Sequence, residues 1–218
     1  MGPARRHADR DRRGAHVTLP GRIRTVVTAL EMTARPARAP HPAPPGRLAL
    51  LRAEPPTVAF YRFLYDTIGA RWLWIVRRRM SDDDLRAIIS DPEVEVFVLH
   101  VAGCPAGYVE LDFRTPGDVE IAYLGVMPEF VGRGFGRHLL EWAIDTAWSR
   151  AGTTRLWIHT CSWDDPRALA MYQRAGFTPF RQDEAWDDDP RLDGTLPRDY
   201  RHPALAPLDP LALTSPAG

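Results

Sequence analysis

From residue 94 to residue 137 the chain runs through three strand-length apolar segments and then a glycine-rich loop that opens a helix, and few folds accommodate that series. The runs Val94–Val101, Gly107–Arg114 and Val119–Val126 are separated by Gly-Cys-Pro and Thr-Pro-Gly-Asp, both tight-turn signals, so they read as an antiparallel meander. The third run passes into Val126-Met127-Pro128-Glu129-Phe130-Val131-Gly132-Arg133-Gly134-Phe135-Gly136-Arg137. Beyond it Leu139, Leu140, Ala143, Ile144 and Ala147 fall on one stripe, the period of an amphipathic helix. Alternate glycines at 132, 134 and 136 let successive backbone N–H groups face a common point at a helix N-terminus, which suits a pyrophosphate; Arg133 and Arg137 add positive charge. An isolated G-x-G-x-G also serves simply as a tight turn into a helix. A dinucleotide fold is disfavoured, because the glycines do not follow directly on a first parallel strand and Pro128 intervenes.

The elements around this core series follow from capping and periodicity. Arg47–Ala53 reads as a strand, Thr57 as a helix cap, and Tyr61, Leu64, Tyr65 and Ile68 as one buried helical face ending at Gly69. Ser81 with Asp84 makes a capping box for a second helix burying Leu85, Ile88 and Ile89, which stops at Asp91-Pro92. After the long helix come a buried strand over Arg155–Thr160 and a short helix with Asp165 as N-cap and Pro166 at its first position. That helix runs through Tyr172 to a left-handed stop at Gly176, and a closing strand spans Phe177–Trp186. The expected class is α+β, a mixed and mostly antiparallel sheet flanked by helices. Residues 1–45, rich in Arg, Ala and Pro, are expected to be a disordered extension whose removal leaves stability and turnover unchanged. Residues 46–200 are expected to form the domain, and 201–218 a Pro-rich tail.

Composition excludes several chemistries. All 28 basic residues are arginine, so a phosphate loop of the Walker type and a pyridoxal Schiff base, both of which need a lysine, are out of reach. Cys104 and Cys161 stand far apart with no His/Cys cluster at metal spacing, so both are expected to be reduced and structural, and no metal is expected. The charge is uneven: residues 1–47 hold ten arginines against three acids, leaving 18 against 25 downstream. A nucleic-acid footprint would have to lie in an extension that has no aromatic residue and no motif, so no nucleic-acid partner is expected. Apolar runs are strand-sized, far short of the roughly 20 residues that span a bilayer, and no hydrophobic run follows the N-terminal arginines. The expectation is a cytoplasmic protein without membrane contact.

The segment GVMPEFVGRGFGRHLL after a strand, followed by another strand and then LAMYQRAGF, resembles the GNAT acetyltransferases over roughly residues 47–186. The family signature has a strand ending in Val-x-Pro, then Gln/Arg-x-x-Gly-x-Gly/Ala, then a Tyr shortly before a Gly-Phe. Two departures stand out: Val131 replaces the usual Gln or Arg, and Asp165 replaces an Asn. The resemblance implies a splayed strand pair at the cofactor site and acetyl-CoA as acyl donor. Transfer of an acetyl or short acyl group to a primary amine by direct attack in a ternary complex follows from it. Cofactor binding is then assigned to the main chain of Leu124 and Val126, to Val131, Gly132, Arg133, Gly134, Gly136 and Arg137, and to Asp165. Tyr172 matches the tyrosine that faces the cofactor sulfur, and Glu120 matches the general-base glutamate of histone-type members; water, Tyr123 and Asp112 are the alternatives to Glu120. Phe135, Phe177 and Trp148 read as packing, and His100 and His159 as core histidines satisfied within strands. Tyr61, Tyr65, Trp72, Trp74 and Arg77-Arg78-Arg79 mark either a substrate wall or core and solvated edge. The acceptor is a small-molecule or peptide amine, a homodimer is left open, and the rival reading is a degenerate acyl-CoA-binding or interaction module that has lost turnover.

Overall fold

The structure, a computed structural model, describes residues 21–38, 41–203, 205, 207 and 208. Seven strands form one mixed sheet in the order β2-β3-β4-β5-β6-β1-β7, with four helices packed on it. The meander is present as β3 (Val94–Val101), β4 (Cys104–Thr115) and β5 (Asp118–Val126), and β2 (Leu48–Ala53) pairs antiparallel with β3 at one edge. Helix α1 (Val58–Gly69) is capped by the Thr57 hydroxyl, which accepts from Phe60 N–H at 3.2 Å. The Ser81 hydroxyl accepts from Asp84 N–H at 3.1 Å and opens α2 (Asp82–Ile89). Both caps fall where the side chains required them. After β5 come α3 (Phe135–Ser149), β6 (Arg155–Cys161), α4 (Ala168–Arg174) and β7 (Thr178–Asp188).

The fold departs from the sequence expectation at its N-terminus. Residues 22–32, placed in a disordered extension, form β1 (Arg22–Met32), an interior strand paired antiparallel with β6 on one side and β7 on the other. Thr25, Thr28, Ala29, Leu30 and Met32 are buried, so the strand contributes to the core from both faces. A strand enclosed on two sides has no clean apolar–polar alternation, and the Arg- and Pro-rich flanks dilute its β-branched run in any window average. The part of the expected extension at residues 1–20 lies outside the described residues. The C-terminal boundary shifts as well: Leu196 and Leu205 are buried with Ile23, Leu73, Ile75 and Trp163, and the Tyr200 hydroxyl donates to the Ala70 carbonyl. Tyr200 and Leu205 therefore pack against the α1–α2 connection and its neighbours, while residues 204, 206 and 209–218 lie outside the described set.

Two apolar layers cover the sheet. On one face α3 and α4 bury Leu139, Leu140, Ile144 and Tyr172 against Leu30, Val109, Ile121 and Ile158. On the other, α1 and α2 bury Tyr61, Leu64, Ile68 and Leu85 against Val96, Val98 and Tyr108. Gly125 sets how closely the second layer approaches, since a Cβ there would come within 2.3 Å of Ile68 Cγ2 and 3.1 Å of Trp74 Cη2. Glycine is required for α1 and Trp74 to close on β5.

Candidate active site

The chain opens a cleft by changing strand partners. β5 and β6 pair in parallel only from Asp118↔Arg155 to Ile121↔Ile158. Past that point β5 continues beside β4 as far as Val126↔Gly107, while β6 continues beside β1 as far as Cys161↔Val27. Their facing main chains separate, leaving Ala122–Val126 to line a cavity of about 770 Å³. Leu124 and Val126 lie on this wall and lean their side chains on the core, so what they offer the cavity includes polar backbone.

At one end the cavity meets the glycine loop. A single 3₁₀ turn over Pro128–Phe130 is followed by Gly132 at φ 82° and Gly134 at φ 84°, left-handed conformations that glycine adopts without strain. Gly134 is the N-cap of α3 and, among the described residues, no side chain caps that helix, so its first N–H groups face outward at a positive dipole end. Val131, Gly132, Gly134, Gly136 and Arg137 all line the cavity. Arg137 also pairs with Glu141 at 2.8 Å, a carboxylate that Arg38 approaches at 3.6 Å. Arg133 is placed differently: it is absent from the cavity wall, and its guanidinium stacks on Phe130 and Phe135 at 5.2 Å from each ring centre.

Tyr172 stands on α4 where the cleft passes between β5 and β6, 6% exposed and lining the cavity. Burial, helped by the Asp164 and Asp165 carboxylates, raises its phenol well above the ordinary value, so it is a protonated donor at neutral pH. Gly176 at φ 107° ends α4 as expected, and Phe177 N–H returns to the Tyr172 carbonyl at 3.1 Å. The start of α4 differs from expectation. The helix begins at Ala168 with Arg167 at its N-cap, because Asp165 accepts from Arg167 N–H at 2.9 Å and ties the preceding residues into a separate turn. Hydrogen bonds from the Arg167 guanidinium hold the Asp165 carboxyl below the usual range.

Beyond the split, the cavity extends beneath the α1–α2 connection, where Tyr65, Trp72, Trp74 and Tyr123 form an aromatic wall. Tyr65, Trp74 and Tyr123 have ring centres 5.1–5.3 Å apart. The Trp74 indole donates to Asp164 at 3.3 Å, and the other oxygen of that carboxylate accepts from Thr160 Oγ1 and Cys161 N–H, each at 2.9 Å. Tyr61 belongs to the core, and its hydroxyl donates to Glu110. The arginine run is not a basic surface. Arg77 is buried against Glu110 at 2.7 Å, Arg78 pairs with Asp66, and Arg79 with Asp187 and Asp193.

Glu120 sits on β5 outside the cavity wall, with a carboxylate oxygen 3.4 Å from His159 Nδ1. Burial opposes ionisation of the neighbouring Asp112, yet hydrogen bonds from Arg114 outweigh it and hold that carboxyl below the usual range. His159, expected as a core residue, is instead exposed and lines the cavity. The alternation along β6, with Leu156, Ile158 and Thr160 buried, was the available signal that 159 faces the other way. Glu110 was missed entirely: nothing local in a strand reading VELDF marks one acid for burial beneath an arginine 33 residues earlier.

Residues 58–177 match the family model of the acetyltransferase (GNAT) family. Among curated relatives, a mycothiol acetyltransferase of Streptosporangium roseum is 35% identical over 91 residues, which is 42% of this chain and 25% of that protein. The N-alpha-acetyltransferase RimI of Mycobacterium tuberculosis is 39% identical over 72 residues, 33% of this chain and 42% of that one, so the matched region spans less than half of either relative. In fold, the chain is similar to a GCN5-related N-acetyltransferase of Sphaerobacter thermophilus, with a TM-score of 0.51 at 18% identity over 76% of this chain and 52% of the other. A split strand pair leading into a glycine-opened helix, a tyrosine at the split, and a family match over more than half the chain place it in one group: the protein belongs to the GNAT acetyltransferase family.

Proposed function

We propose that the protein transfers an acetyl or similarly short acyl group from acyl-CoA to a primary amine by direct attack in a ternary complex. The observation that carries this is the continuity of one cavity from the uncapped N-terminus of α3, along the unpaired main chain of β5, to Tyr172. These residues fit an acyl-CoA: the α3 amides and Arg137 suit a pyrophosphate, and the β5 backbone between Leu124 and Val126 suits an extended amide-bearing arm. Bound acyl-CoA supplies an activated thioester. Main-chain N–H at the split polarises its carbonyl, and the Tyr172 phenol hydrogen-bonds the sulfur as the carbon–sulfur bond breaks. Gly132, Gly134 and Gly136 keep the loop free of side chains, and Val131 and Asp165 contribute surface. Arg133 serves by holding Phe130 and Phe135 in place beneath the loop. The acceptor enters on the aromatic side; Glu120 stands back from the cavity wall, so it assists removal of the amine proton only through an intervening group.

The test is a melting-curve screen of CoA, acetyl-CoA and longer acyl-CoA esters, followed by thiol release over a panel of small and peptide amines. A ligand present at a hundredfold its Kd should contribute about 2.7 kcal/mol of stability. Absence of any shift with every CoA species removes this reading; a shift without turnover on any amine returns the protein to a binding module.

A further inference from the structure

His159 follows Ile158, the last residue of β6 to pair with β5, so it stands where the two strands begin to part. Its side chain is 44% exposed and lines the cavity, whereas Glu120 is 24% exposed, lies behind it and does not reach the cavity wall. Of the two, the imidazole is the group an acceptor amine can touch. Two residues on, Cys161 lines the same cavity from the same face of β6, roughly 7 Å along the strand. Tyr172 lines the same cavity from α4. His159 and Tyr172 thus bound the split on its acceptor and thiol sides.

The charges around the imidazole leave it one partner. Asp118 and Glu31 are taken up by Arg155, and Asp183 of β7 by Arg181. From above, Asp187 is held by Arg79 and Arg77 by Glu110, while Asp164 accepts from Trp74 and Thr160. Among the described residues, Glu120 is the carboxylate in contact with the ring, 3.4 Å from Nδ1. A carboxylate at Nδ1 favours the tautomer protonated there, which leaves Nε2 with a free lone pair.

We infer that His159 is the catalytic proton acceptor for the attacking amine and that Glu120 is a positioning residue acting through it; this rests on the acyltransferase reading. In the step, the amine nitrogen bonds to the acyl carbon, the carbon–sulfur bond breaks with its electron pair going to sulfur, and the nitrogen's proton passes to His159 Nε2. Tyr172 hydrogen-bonds the departing sulfur. The proton then leaves His159 to solvent through its exposed edge.

The experiment uses the full chain, acetyl-CoA and whichever amine gives wild-type turnover in the panel above. His159→Gln should lower kcat/KM by about 10² to 10⁴, with acetyl-CoA affinity unchanged by calorimetry. Glu120→Gln should lose about 10- to 100-fold, and the double variant should be no worse than His159→Gln alone. Added imidazole should partly restore His159→Ala, which a merely structural histidine does not predict. Wild-type kinetics in His159→Gln, or a larger loss in Glu120→Gln than in His159→Gln, overturns the assignment and leaves acyl transfer standing. A wild type that binds no CoA ester and turns over no amine removes both.

Discussion

At the residue scale, Tyr172 and Cys161 line one cavity, and burial keeps the proton on both. Burial keeps the Tyr172 phenol protonated, so it is available as a hydrogen-bond donor and cannot act as a base near neutrality. Tyr172→Phe keeps the ring's packing on Phe177 and should leave stability and acetyl-CoA affinity nearly unchanged while kcat falls about 10² to 10⁴, as steady-state and binding measurements would show. Full activity in the Phe variant would return the residue to the core. Burial likewise pushes the Cys161 thiol up to about 11, which leaves about one thiolate in 10⁴ at pH 7. Exposed Cys104 should therefore alkylate first, and mass mapping after iodoacetamide should find Cys161 slow to react and slower still with CoA present. Equal rates at the two positions would contradict the environment described for Cys161.

At the element scale, the α3 N-terminus and β1 carry the clearest consequences. Gly134 has φ 84°, so any side chain there strains the backbone as well as blocking the loop. Gly136 separates the two effects, because its backbone is helical and a Cβ would meet Val126 Cγ2 at an ordinary 3.5 Å. Gly136→Asp should leave the melting temperature close to wild type yet weaken CoA binding by tenfold or more, a unit charge near phosphate opposing it by about 1 to 4 kcal/mol. Unchanged affinity in that variant would displace the pyrophosphate from the loop. For β1, truncation of residues 1–38 should prevent folding, since β6 and β7 would lose the strand that joins them. Leu30→Ala, at a fully buried position, should cost about 2–5 kcal/mol by urea denaturation. A stable, active truncate would show that the sheet closes without β1, as the sequence reading of a dispensable extension supposed.

At the scale of the whole molecule, one buried ion pair fastens the α1–α2 connection to the sheet. Arg77 lies in the α1–α2 connection and Glu110 on β4, both buried, and Tyr61 donates to the same carboxylate. Arg77→Met should destabilise by about 3–5 kcal/mol, because it strands a carboxylate in the core. Burial already holds the Glu110 carboxyl above its ordinary range despite Arg77 and Tyr61. A raised folded-state value favours the fold while the group is protonated, and that contribution is lost as pH rises through it. Without Arg77 the deficit should therefore widen from pH 5 to pH 8 in urea titrations; a deficit independent of pH would mean that Glu110 ionises freely in the fold. The sequence by itself determined what is decided within a few residues: the Thr57 and Ser81 caps, the Gly176 stop, the turns of the meander, and the glycines that open α3. The resemblance carried by the glycine loop and Tyr172 extended that to the family. Tertiary structure alone decided that residues 22–32 fill the interior of the sheet, that Arg133 turns onto two phenylalanines, that Arg77 meets Glu110, and that His159 stands between Glu120 and the cavity. Each of these depends on which strands become neighbours. Strand pairing joins segments more than a hundred residues apart, as at Val27↔Cys161, so the burial and charge that one segment supplies to another are set by packing and leave no local mark.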